Sequence, residues 1–121
     1  MTTIYERIGQ EKLYAMIDIF YRYVAQDNRI NHLFPGDFDE TARKQKQFLT
    51  QFFGGPTLYS DEHGHPMMRA RHMQFPIGEH EKHAWLENMT RAAHEVDIDD
   101  DVRDYILQRL TLTAEHMKNV Y

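Results

Sequence analysis

The chain has 121 residues, of which 41% are hydrophobic and 27% charged, with a formal net charge of −5. This length suits one hydrophobic core, so we expect a single domain over residues 1–121, and the acidic balance argues against a nucleic-acid partner. No stretch approaches the ~20 apolar residues of a membrane span. The chain has no cysteine, which excludes disulfides, thiolate metal sites and cysteine nucleophiles. The lack of cysteine also agrees with a cytoplasmic location.

The N-terminal segment contains residues that typically begin and end helices. Thr3 and Glu6 have the spacing of a capping box, and Gly9 is placed to end a short first helix. From residue 11 to residue 27 apolar side chains recur every three or four positions, which predicts an amphipathic helix. Its inward stripe comprises Leu13, Met16, Ile17, Phe20, Tyr21 and Val24.

A tight corner is expected over residues 28–38, where Pro35 and Gly36 block continuation of the helix. Asp39 is then placed to cap a helix over residues 40–53, which the Gly-Gly-Pro sequence at 54–56 ends.

The second half of the chain is predicted to begin with a loop over residues 57–65. A short helix with Pro66 in its first turn follows and runs to His72. A long helix is expected over residues 79–96. The last helix is indicated by an apolar stripe that comprises Val102, Ile106, Leu110, Thr113, Met117 and Val120. Because no window alternates like a strand, the sequence predicts an all-α fold.

Three helices each carry one hydrogen-bonding side chain in an inward stripe: Tyr21, Gln45 and Trp85. Taken singly, the tyrosine would bond a backbone carbonyl, the amide would be half solvated and the tryptophan would serve packing. Three such groups on three helices are consistent with a polar cluster around a bound ligand.

His72 ends the short helix in the segment HPMMRARHMQFP, residues 65–76. On its own it is more often a cap or a surface residue than a ligand, although a neutral imidazole in this place can aim a ring nitrogen into a pocket. A carboxylate-bridged metal bundle would need two Glu-x-x-His pairs, and the sequence has that spacing once, from Glu62 to His65. A helical metal-binding protein of this kind, or an interaction module, therefore stays as an alternative.

The chain resembles the truncated haemoglobins of the second group. The similarity extends over nearly the whole sequence and is most specific in the blocks FYRYVA, LFPGDFDETARKQKQFLTQFFGGP, LYSDEHGHPMMRARHMQFPI and HAWLENM. It implies a truncated globin fold, in which a two-over-two helical sandwich surrounds haem b (iron protoporphyrin IX).

The resemblance also implies roles for particular residues. His72 matches the proximal ligand of the haem iron, and Tyr21, Gln45 and Trp85 match the distal hydrogen-bonding positions. Thr41 stands where larger globins keep a distal histidine. Haem contacts are implied at Phe34, Lys44, Phe48, Tyr59, Met68, Arg71 and Met73, and Arg69 is an alternative to Arg71 as a propionate partner.

From the resemblance we expect a protein that binds O2 reversibly with high affinity, and that also takes CO and NO. A haem-based redox enzyme, either peroxidase-like or a nitric-oxide dioxygenase, is the main alternative, because polar distal groups assist oxygen–oxygen cleavage as well as retention of O2. Such turnover would require a reductase as electron donor. The chain is expected to be a monomer or a weak homodimer.

Overall fold

The computed structural model describes residues 2–34 and 36–121, and the regular structure in those ranges is entirely helical. Its seven α-helices there are α1 (Ile4–Ile8), α2 (Gln10–Ala25), α3 (Phe38–Phe52), α4 (Leu58–His63), α5 (Met68–His72), α6 (Glu79–His94) and α7 (Asp100–Met117). A 3₁₀ turn, Asn31–Leu33, lies between α2 and α3. Within the described ranges, every helix is too short or too polar to cross a bilayer.

The four long helices form two packed pairs. Helix α2 packs against α3, α6 packs against α7, and contacts between α2 and α6 join the pairs. The fully buried core lies along these contacts and includes Leu13, Met16, Ile17, Phe20, Met89 and Ile106. The all-α, two-over-two arrangement expected from the sequence is confirmed.

Helix α1 begins and ends as its residues predict. The backbone N–H of Glu6 donates to the Thr3 hydroxyl at 3.0 Å, and the N–H of Thr3 donates to the Glu6 carboxylate at 3.2 Å. Gly9 follows with a φ of 82°, a left-handed conformation that glycine adopts without a steric penalty. The capping box and the glycine stop are both confirmed.

The cap of α3 differs from the prediction. Asp37 is the N-cap, and its carboxylate accepts from the N–H of Asp39 at 2.8 Å. Asp39 lies inside the first turn, where a negative side chain still favours the positive end of the helix dipole. The helix therefore starts two residues earlier than expected. Pro35, which we expected to block helix continuation, lies outside the described residues.

The stretch predicted as a loop after Pro56 contains α4, so that prediction is wrong. Gln51 of α3 supplies the tertiary support that the local sequence does not reveal. Its side-chain carbonyl accepts from the N–H of Ser60 at 3.0 Å, and its amide donates to the Ser60 hydroxyl at 2.8 Å. Gly64, whose φ is 83°, ends the helix.

Two helix limits nearer the C-terminus also need correction. Pro66 was expected in the first turn of the short helix, but α5 starts at Met68, because Met67 has a left-handed backbone with φ 47° and breaks the helical path after the proline. Val120 was expected on the last apolar stripe. Helix α7 ends at Met117, Lys118 is extended, and Val120 is exposed.

Gly55 sits where α1 crosses the end of α3. A Cβ there would lie 2.7 Å from Tyr5 Cδ2 and 2.9 Å from Thr50 Cγ2. We expect Gly55→Ala to lower the free energy of unfolding by about 1–3 kcal/mol, the usual effect of overpacking, as measured by urea denaturation. In a Tyr5→Ala background the cost should shrink, because the ring that is crowded has gone. An equal cost in both backgrounds would contradict this steric explanation.

Candidate functional site

A cavity of about 290 Å³ lies between the helices. Helices α2, α3, α6 and α7 contribute to its wall, together with α5 and the segments that precede α3 and follow α5. Its apolar lining includes Ile30, Leu33, Leu49, Phe75, Ile77 and Leu110. The cavity is thus a largely apolar chamber into which a few polar groups project, the usual character of a cofactor site.

The structure gathers nearly all the site residues expected from the sequence around this cavity. The polar and charged ones that line it are Tyr21, Thr41, Lys44, Gln45, Tyr59, Arg71 and His72. The apolar and aromatic ones are Phe34, Phe48, Met68 and Trp85. Met73 is the exception: it does not line the cavity and is 56% exposed.

His72, the last residue of α5, is held by one of its ring nitrogens. Nδ1 lies 2.7 Å from the carbonyl oxygen of Met68. A carbonyl can only accept, so Nδ1 donates to it, and in the neutral imidazole Nε2 is the nitrogen that keeps a free lone pair. An imidazole in this tautomer presents Nε2 as a metal ligand and keeps a fixed orientation.

Two of the side chains expected to donate hydrogen bonds, Tyr21 and Trp85, both pack against one buried phenylalanine. The Phe20 ring, which is fully buried, meets the Tyr21 ring edge-on at 4.8 Å between centroids and the Trp85 ring at 5.0 Å. Phe34 packs against the other side of Tyr21 at 5.8 Å. Within the part of the chain described, neither the Tyr21 hydroxyl nor the Trp85 indole N–H has a hydrogen-bond partner. Burial raises the pKa of Tyr21, so its hydroxyl stays protonated and can donate.

Gln45 and Thr41 occupy successive turns of α3 and behave differently. The Gln45 side chain makes no hydrogen bond to residues 2–34 or 36–121, so its amide is available to the cavity. The Thr41 hydroxyl donates to the backbone carbonyl of Asp37 at 3.1 Å. The hydroxyl proton is therefore already used in a hydrogen bond within α3, and Thr41 can offer a ligand only an acceptor lone pair.

Cationic side chains lie at the cavity margin. Lys44 is exposed and forms no ion pair within the described ranges. The Arg71 guanidinium lies 5.5 Å from the centroid of the Tyr59 ring and donates weakly to the carbonyls of His63 and His65, at 3.3 and 3.4 Å. Arg69 points elsewhere, to the carbonyls of His116 and Lys118. Of the two arginines, Arg71 is the one that lines the cavity.

Sequence reasoning missed part of the wall. Leu110, Thr113 and Met117 of α7 line the cavity, although their apolar stripe predicts only a helix and no site. The threonine in that stripe was the available signal, since it interrupts an otherwise apolar face. Lys82 also lines the cavity, while its Nζ pairs with Glu115 at 2.6 Å. No sequence pattern pointed to it.

These residues fit a haem group. A flat apolar macrocycle matches the aromatic and aliphatic walls, Nε2 of His72 is a suitable iron ligand, and Lys44 and Arg71 supply positive charge for carboxylates. The non-haem metal alternative gains no support: among residues 2–34 and 36–121 no three His, Asp or Glu side chains are grouped so that they could hold a metal ion, and Glu62 and His65 have no third partner there.

Comparison with known proteins agrees with this arrangement. The profile of the family described as bacterial-like globin matches residues 3–119. The group 2 truncated haemoglobin YjbI of Bacillus subtilis (strain 168) is 51% identical over 115 residues, which cover 95% of this chain and 87% of that protein.

Solved structures of similar proteins superimpose closely. The group II truncated haemoglobin from Bacillus anthracis gives a TM-score of 0.95 at 45% identity, with 99% of this chain and 93% of that chain covered. The truncated oxygen-avid haemoglobin from Bacillus subtilis gives 0.94 at 50% identity, with 98% and 100% covered. The family match, the sequence identity and the shared fold together make this chain a member of the bacterial-like globin family and, within it, a truncated haemoglobin of the second group.

Proposed function

We propose that this chain, as a single domain, holds haem b in the cavity and binds O2 reversibly and tightly, with His72 as proximal ligand and Tyr21, Trp85 and Gln45 as distal donors. Membership of the globin family implies the haem cofactor and diatomic-gas ligands. High affinity is suggested by the similarity to the oxygen-avid haemoglobin of Bacillus subtilis.

One observation carries the proposal. Three hydrogen-bond donors from three helices, α2, α3 and α6, line the cavity, and none of them has a partner in the described part of the chain. Tyr21 is buried and Gln45 and Trp85 are half-buried, and all three line the cavity. Donors that converge on a cavity without a protein partner indicate a ligand with an electronegative surface. The same cavity is lined by an imidazole whose Nδ1 is held by a backbone carbonyl, which leaves Nε2 as the nitrogen available to a metal.

Haem bound in this cavity would supply an iron centre for a diatomic gas. The Tyr21 hydroxyl, the Trp85 indole and the Gln45 amide would donate hydrogen bonds to the gas and slow its dissociation. Because burial raises the pKa of Tyr21, this donor keeps its proton across the physiological pH range. The apolar walls exclude water and so strengthen each hydrogen bond.

The experiment that tests the proposal is a visible absorption spectrum of the purified protein before and after dithionite, and again under CO and under air. We expect a haem spectrum that changes on reduction, on addition of CO and on exposure of the reduced protein to O2. Extraction of the pigment should yield iron protoporphyrin IX. A colourless protein that cannot be reconstituted with haemin would defeat the proposal, as would a reduced haem protein that does not bind O2.

A further inference from the structure

The chain beyond α7 folds back onto the segment that follows His72. Asn119 uses its whole side-chain amide in this contact. Its Oδ1 accepts from the N–H of Ile77 at 2.9 Å, and its Nδ2 donates to the carbonyls of His72 at 3.2 Å and Phe75 at 2.9 Å. Its own backbone N–H also donates to the Ile77 carbonyl, at 2.8 Å. One residue therefore satisfies four backbone groups between His72 and Ile77.

Helix α5 needs such support, because it is weak by itself. It has five residues, far fewer than an isolated helix needs for stability in water. Met67 enters it in a left-handed conformation, which costs a non-glycine residue about 1–2 kcal/mol. The carbonyl of His72 lies at the helix end, where it accepts from the N–H of Phe75 at 3.0 Å and, from the distant C-terminal tail, from the Asn119 amide at 3.2 Å.

The same end of α7 also holds the start of α5. The Arg69 guanidinium donates to the carbonyls of His116 and Lys118. The tail is anchored in turn to α6, through an ion pair of 3.1 Å between Lys118 Nζ and Glu79. The backbone of α5 is thus fixed at two points, Arg69 ahead of His72 and Asn119 behind it, and both lead to residues 116–119.

We propose that Asn119 is a positioning residue for the proximal ligand: by holding the backbone carbonyl of His72, it sets the depth and angle at which the imidazole enters the cavity. The inference rests on the proposed function, since it concerns His72 as an iron ligand. Asn119 acts through the backbone, whereas the carbonyl of Met68 sets the rotation of the ring through Nδ1. Both constraints are required to place Nε2.

The test uses Asn119→Asp in the haem-containing protein. This variant keeps the shape of the side chain and the acceptor for the Ile77 N–H, but loses both donors, to His72 and Phe75. We expect the iron–histidine stretching band of the reduced protein, measured by resonance Raman spectroscopy, to shift or broaden. Transfer of haem to a scavenging protein should be roughly 5- to 30-fold faster, the range given by one or two net hydrogen bonds of about 1 kcal/mol each.

Two further variants make the result specific. Asn119→Ala also removes the acceptor, so hydrogen exchange at the Ile77 amide should speed up in that variant and stay slow in Asn119→Asp. Val120→Ala is the matched control: it truncates an exposed side chain of the same tail and keeps the bond from its N–H to the Ile77 carbonyl, so all three measurements should match wild type.

An iron–histidine band in Asn119→Asp that coincides with wild type would overturn the inference, even if the variant melts at a lower temperature. That outcome would leave the proposed function intact, because the wild-type protein would still hold haem through His72. Failure of the proposed function would be seen separately, as a wild-type protein without a haem spectrum.

Discussion

His72→Gly is expected to lose haem at least roughly 100-fold faster than wild type, since even outer-shell partners of a metal ligand change metal affinity by 10–100-fold. Among the described residues that line the cavity, His72 is the one histidine. With the imidazole removed, the described residues that line the cavity offer no other imidazole nitrogen as an iron ligand. The measurement is haem transfer to a scavenging protein, followed by absorbance. Added imidazole, which fills the space that glycine leaves, should restore haem retention.

His94→Gly is the matched control. His94 is the last residue of α6, as His72 is of α5, and its Nδ1 lies 2.9 Å from the carbonyl of Thr90, four residues back, just as Nδ1 of His72 bonds Met68. Its ring, however, is exposed to solvent. The control therefore removes a histidine with the same local hydrogen bond from outside the cavity, and haem loss should be unchanged. Equal haem retention in both variants would refute the proximal assignment.

Tyr21→Phe and Trp85→Phe should each speed the release of O2 from the reduced protein by roughly 5- to 150-fold. A hydrogen bond to a charged acceptor contributes about 1–3 kcal/mol, and a tenfold change in rate corresponds to about 1.4 kcal/mol. Both substitutions keep an aromatic ring in the cavity wall and remove one donor. Stopped-flow displacement of O2 by CO measures the rate. Wild-type rates in both variants would show that these residues do not hold the ligand.

The two effects should not add in the double variant. Both rings pack edge-on against Phe20, so a change in one moves the surface on which the other rests. The double-mutant cycle therefore reports their coupling directly. Tyr23→Phe is the control from the same helix: its hydroxyl bonds Glu95 outside the cavity, and its removal should leave O2 release unchanged. Strictly additive effects would indicate that the donors act independently.

Several helices of the fold could be predicted from the sequence, because the capping residues and apolar stripes that specify them lie within a few residues of one another. The apolar stripe of α2 and the Thr3–Glu6 capping box specify their structure within a few residues, and both were predicted correctly. Helix α4 could not be found in this way. Its support is a pair of hydrogen bonds from Gln51, nine residues before Ser60 and on another helix, which leaves no periodic trace in the chain.

For the candidate site, too, one part could be predicted from the sequence and another part could not. A polar residue in an apolar stripe is visible in the sequence, which is how Tyr21, Gln45 and Trp85 could be picked out. Their convergence on one cavity depends on how α2, α3 and α6 pack, and no stripe contains that information. The commitment of the Thr41 proton to its own helix and the exposure of Met73 likewise depend on turns of the backbone that residue type does not specify.

The contact between Asn119 and His72 also has a consequence for the order of folding. It joins residues 47 positions apart in the chain, and it requires the end of α7 to be in place. The contact between α2 and α3 that carries Tyr21 and Gln45 joins residues much closer in sequence, and long loops close more slowly than short ones. The α2–α3 part of the cavity wall, with Tyr21 and Gln45, can therefore form before the C-terminal tail docks. We expect stable capture of haem in the proposed site only after that docking, at the last stage of folding.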